Sequence, residues 1–212
     1  MIPREANLHI IQQSCEWNGW GRNNDATETQ AIKQAIIAEA QASGIPEEFI
    51  LAIMMQESKG CVRVQTTRWD ADNPGLLQSA GKASCNPALD GSAPITPCPA
   101  ATIRAMIHDG TAGEGLRTTL KKELDYFVAS GVTDDSRWYK TARRYSRCIF
   151  RQTKSTLIYS LLPLDAGEVL TNEKNLGMGP TPCYASDVCN RLIQPFDESV
   201  CNNAVIGSVT SA

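Results

Sequence analysis

Residues 45–60 read I-P-E-E-F-I-L-A-I-M-M-Q-E-S-K-G, and this stretch limits what the chain can become more than any other. Pro46 suits the first turn of a helix, and Glu47 and Glu48 suit its positive end. Phe49, Ile50, Leu51, Ile53, Met54 and Met55 then surround the axis. A helix that is apolar on every side cannot lie on a surface, so it must be central and the other elements must wrap it. Gly60 is a fair stop. One carboxylate, Glu57, sits at the far end.

Glu57 follows Ile53 by four residues and Met54 by three, so it continues an apolar face. Burial disfavours the ionised form, and the negative end of the helix dipole disfavours it further. Both effects raise the pKa toward the range a general acid needs. The competing reading is a fraying helix end with Glu57 in water.

The flanking pattern is mostly helical. A first helix is expected over Thr27–Ser43, with Thr27-x-x-Gln30 as a capping box and Gly44 as its stop. Further helices are expected over Pro99–Asp109, over Leu116–Val128, from Asp135 or Ser136 through Tyr145, and from Pro182 through Leu192. The span from Cys61 to Ala100 loses the period and reads as a long loop, with at most a short strand around Val62–Gln65. Residues 1–26 read as irregular. Trp17 and Trp20 there could form an exposed sugar platform; covering one end of the core is the favoured alternative. The expected fold is mainly α: one domain over 1–212, with 1–14 and 202–212 as peripheral arms and at most a small β element.

Eight cysteines without a C-x-x-C pair, and only two histidines, argue against zinc or iron–sulfur ligation. Scattered cysteines in even number fit disulfides in an oxidising compartment, with four bridges expected. Local candidates are Cys85 with Cys98 and Cys189 with Cys201. No metal or cofactor is expected. A net charge of −3 with no basic run gives nucleic acid no footprint, and no stretch is long and apolar enough for a membrane span. The start M-I-P-R-E-A-N-L-H-I-I lacks the apolar core of a secretory leader, so a secreted chain would be a processed form. Neither histidine comes with a Ser or Cys nucleophile signature.

E-S-K-G-C at 57–61 and N-P-G-L-L-Q at 73–78 resemble the E-S … G-L-M-Q signature of goose-type lysozymes and soluble lytic transglycosylases. I-H-D-G-T at 107–111 resembles a helix-turn motif downstream in goose-type enzymes, and A-R-R-Y-S at 142–146 stands where the family places A-Y-N. N-G-W-G-R-N at 18–23 and C-Y-A-S-D-V-C-N-R-L at 183–192 resemble motifs of a secreted fungal branch. The resemblance covers most of residues 15–195 and implies a lysozyme-like fold.

Carried over residue by residue, the resemblance implies Glu57 as general acid and Ser58 as an active-site hydrogen-bonding residue. Gln78 and the backbone of Gly75–Leu77 would line the sugar cleft, and Tyr145 would orient Glu57 or bind substrate. Asp70, or its rival Asp72, would position a water. Two departures stand out: Ser146 replaces the family Asn, and Ser79 and Ala80 follow Gln78 where goose-type enzymes soon carry an Asp. The implied function is a secreted, monomeric muramidase that cleaves β-1,4 links in peptidoglycan, its polysaccharide substrate. The alternatives are a lytic transglycosylase giving 1,6-anhydro products, a chitin-cleaving enzyme, or a non-catalytic sugar-binding or effector protein.

Overall fold

The computed structural model describes residues 7–68, 71–86, 93–150 and 183–193. Seven helices dominate them: α1 (Leu8–Trp17), α2 (Ala26–Ser43), α3 (Glu47–Glu57), α4 (Ala100–Ala112), α5 (Leu120–Ala129), α6 (Ser136–Phe150) and α7 (Tyr184–Ile193). The fold is mainly α, as expected. Phe49 through Met55 of α3 are all buried, so the helix is enclosed on every side. Each large apolar side chain buried this way contributes about 1.5–3 kcal/mol. Around it α2 packs on α3 and α4, α6 packs on α5 and α7, and α7 packs back onto α3. No helix among the described residues is long and apolar enough to cross a membrane.

The N-terminus departs from expectation. Residues 8–17 form α1 where irregular chain was expected, with Ile11, Ser14 and Cys15 buried at helical spacing. What fixes α1 is distant in sequence. Cys15 is bonded to Cys61, and the Asn24 amide donates to the carbonyls of Ile11 (2.9 Å) and Gly60 (2.7 Å) while its oxygen accepts from Val62 N. Trp17 is 57% exposed and leans on His9, so it does not cover the core.

The capping box of α2 also shifts. Asp25, not Thr27, is the N-cap: its carboxylate accepts from Glu28 N, and the Glu28 carboxylate accepts from Asp25 N, both at 2.9 Å. Glu28 is held there by a buried partner. Arg63 Nη1 and Nη2 donate to it at 2.5 and 2.8 Å, and Cys98 N donates at 2.7 Å. A carboxylate so well supplied with donors outcompetes the Thr27–Gln30 pair. Gly44 ends α2 in the left-handed conformation, as the sequence suggests.

Beyond α3 the chain makes turns, and the short strand expected at Val62–Gln65 is displaced. Val62 and Val64 are core residues; the hairpin forms later, from β1 (Thr67–Arg68) and β2 (Asp72–Asn73), antiparallel with Thr67 opposite Asn73. Cys85 pairs with Cys98, as proposed, and Cys183 is also disulfide-bonded. Cys189 is a free thiol. This corrects both its proposed bridge to Cys201 and the expectation of four bridges. The thiol sits half-buried on α7, and desolvation pushes its pKa up to about 11.

Candidate active site

The site forms where α3 stops. Ser58 is the C-cap: its backbone N–H and hydroxyl both donate to the Met54 carbonyl, and its oxygen accepts from Gly60 N. The expected sugar-side role for Ser58 is therefore not what its hydroxyl does here; it terminates the helix and turns the chain away. Glu57 is left on the last helical turn with its side chain under α7. The Tyr184 hydroxyl donates to Glu57 Oε1 at 2.5 Å. On the neighbouring residue, Arg191 Nε and Nη2 donate to Gln56 Oε1 at 3.1 and 2.6 Å.

Desolvation by the surrounding protein is the larger influence on Glu57 and raises its pKa from 4.5; the bond from Tyr184 favours the carboxylate and offsets part of that. The result is about 7. Glu57 is not sealed off, since the residue retains partial exposure. Burial and the neighbouring Glu57 carboxyl drive the Tyr184 phenol well above 10, so it remains a neutral donor at ordinary pH. A carboxyl poised near neutrality, largely desolvated on a partly exposed residue and held by the Tyr184 donor, can both release and accept a proton.

The Gly75–Gln78 turn is seated from beneath. Tyr145, fully buried on α6, donates its hydroxyl to the Leu77 carbonyl at 2.7 Å. Tyr145 also lies close enough to Tyr184 to raise the latter's pKa, so it links the turn to the Glu57 contact. The hydroxyl on Glu57 belongs to Tyr184, while the Tyr145 hydroxyl is spent on the Leu77 carbonyl. Gln78 is buried and inward: its Oε1 accepts from Thr67 Oγ1 at 2.9 Å, and its Nε2 donates to the Gly75 carbonyl at 3.0 Å. Leu77 is fully buried as well. The side chains of Leu77 and Gln78 thus build the turn.

I-H-D-G-T gains a physical meaning from this turn. Asp109 accepts from the N–H groups of Lys82 and Ala83, at 2.9 and 3.1 Å. Gly110 lets α4 approach Leu77 closely: a Cβ there would fall 2.3 Å from Leu77 Cβ. Gly75 adopts φ +77° against Ala83 and Met106, where a side chain would collide with both. His108 contacts the Glu39 carboxylate at 3.0 Å and takes no part in the site.

The second-carboxylate candidates fare unequally. Asp70 lies outside the described residues. Asp72 is exposed on the hairpin, bonded to Arg68 at 2.5 and 3.0 Å, and that bond keeps its pKa low. Ser146 is buried on α6. Among the described residues no cluster of three His, Cys, Asp or Glu could hold a metal ion. Sequence reasoning placed Tyr184 on the last helix without a role, and nothing local could have supplied one, because its partner is 127 residues away. Comparisons with protein-family models, with curated proteins and with solved structures return no match.

Proposed function

We propose that the chain is a glycoside-cleaving enzyme of the muramidase type, acting on the β-1,4 bonds of peptidoglycan with Glu57 as general acid. One observation carries this: a partly exposed carboxyl at the end of a buried helix, raised to about 7 and held by the Tyr184 hydroxyl. Protonating a glycosidic oxygen near neutral pH requires such a group. The motifs around Glu57, Gly75–Gln78 and Tyr145, which resemble those of goose-type enzymes, support the choice of substrate. A decisive experiment compares clearing of bacterial cell walls by wild type and Glu57→Gln, with chitin oligomers in parallel. Clearing by wild type alone is expected. Equal clearing by both would remove Glu57 from the reaction, and no cleavage of either substrate would favour a sugar-binding protein.

A second reading, lytic transglycosylation, is favoured by the commitment of Asp72 to Arg68. On this route Asp72 stays with Arg68, Glu57 acts first as acid and then as base, and the sugar's own 6-hydroxyl attacks in place of an activated water. Products one water lighter at the muramic end, seen by mass spectrometry, would establish this route over hydrolysis.

A further inference from the structure

We propose that Arg191 is a positioning residue for Glu57: its two-pronged bond to Gln56 seats α7 over the carboxyl. This rests on Glu57 being the acid of the proposed reaction. Tyr184, Val188 and Arg191 are spaced four and three residues apart, so they form one stripe along α7. All three are engaged. Tyr184 is bonded to Glu57, Val188 is fully buried, and Arg191 grips Gln56. The two bonds therefore land on adjacent residues of the last turn of α3, from points two turns apart on α7. Between them lies Val188, fully buried, so α7 covers this side of the last turn of α3.

Among the described residues the titratable and charged groups at this contact are Glu57 of α3, Tyr184, Asp187, Cys189 and Arg191 of α7, and Tyr139, Arg143 and Tyr145 of α6. The Arg191 charge acts on Tyr184 and Asp187. Glu57 itself responds to burial and to the Tyr184 bond. Arg191 is bonded to Gln56 and not to Glu57, so it reaches Glu57 through the seating of the helix. The distinction fixes the signs. Losing only the donor leaves the cover in place and destabilises the carboxylate. Losing the latch admits water, and rehydration favours the carboxylate.

The test follows the Glu57 carboxyl by 13C NMR titration, assigned with Glu57→Gln and needing no turnover. Tyr184→Phe should move the midpoint above about 7. Arg191→Ala should move it down, toward the ordinary 4.5. Gln56→Met removes the acceptor but keeps the Arg191 charge, and should also move it down. The double variant should go no further than either single one, because both break the same bond. Arg191→Lys, with one compact donor in place of a fork, should recover part of the shift. An unchanged or raised midpoint in Arg191→Ala, or no change in Gln56→Met, overturns the proposal. In cell-wall clearing the alkaline limb of activity should follow the same midpoints. If walls are not cleared by any variant but the titrations behave as stated, the muramidase reading falls and the positioning role stands.

Discussion

Replacing Glu57 with Gln should stabilise the protein, and only above a particular pH. The unfolded carboxyl loses its proton near 4.5, while the folded one holds it to about 7. Between those values the folded state binds more protons than the unfolded one, so raising the pH removes stability across that window. Below 4.5 both states are protonated and nothing is lost; above about 7 the loss is complete. The gap corresponds to roughly 3 kcal/mol. Because Glu57 retains some exposure, solvent screening trims the figure to about 1–3 kcal/mol. Gln keeps the shape and a carbonyl to accept from Tyr184 but has no charge to desolvate. Urea denaturation at pH 4, 6 and 8 gives the check. The variant should match wild type at pH 4 within a few tenths of a kcal/mol and exceed it by about 1–3 kcal/mol at pH 8. Stability curves that run parallel across this range would refute the argument that Glu57 is held in an environment hostile to its charge.

Two further outcomes test the framework around the site. Arg63→Ala strands the Glu28 carboxylate in the interior and should cost about 3–5 kcal/mol in denaturation experiments. In wild type, donor bonds and the Arg63 charge hold the Glu28 pKa below 4.5 despite burial, so this pair contributes stability above 4.5 that is lost as the pH falls through the folded value; the variant should lack that acid-side loss. Gly110→Ala drives a methyl into Leu77 and should cost about 1–3 kcal/mol in thermal or urea melts, with cell-wall clearing falling along with it because the Gly75–Gln78 turn is displaced.

How far the sequence could be read depended on where each element's information lies. Enclosure of α3 was legible because a helix apolar all round admits one environment, and Gly44 announced the end of α2 through its backbone. The hidden features depend on distant partners. Helix α1 is short and is fixed by Cys61, Asn24 and Gly60, all outside the helix. The cap of α2 moved to Asp25 because Arg63, 35 residues from Glu28, recruits that carboxylate. Glu57 was legible as an acid on an apolar face, whereas its donor was not, since the motif resemblance pointed to Tyr145 and only packing brings Tyr184 to the carboxyl. Ser58 and Gln78 show the converse. Their positions in the motifs were clear, but their hydrogen bonds serve the chain itself.

The two ends of the long irregular span meet on one group: Glu28 accepts from the guanidinium of Arg63 and from the backbone of Cys98. The intervening residues therefore leave and return through a single fixed doorway. Insertions or deletions within such a span, away from the Gly75–Gln78 turn and from the ties at Lys82, Ala83 and Cys85, should leave the spacing of the helices untouched. Loop-closure entropy charges only about 0.6 kcal/mol for each doubling of length. This region can thus change length and composition while α3 and Glu57 stay in place.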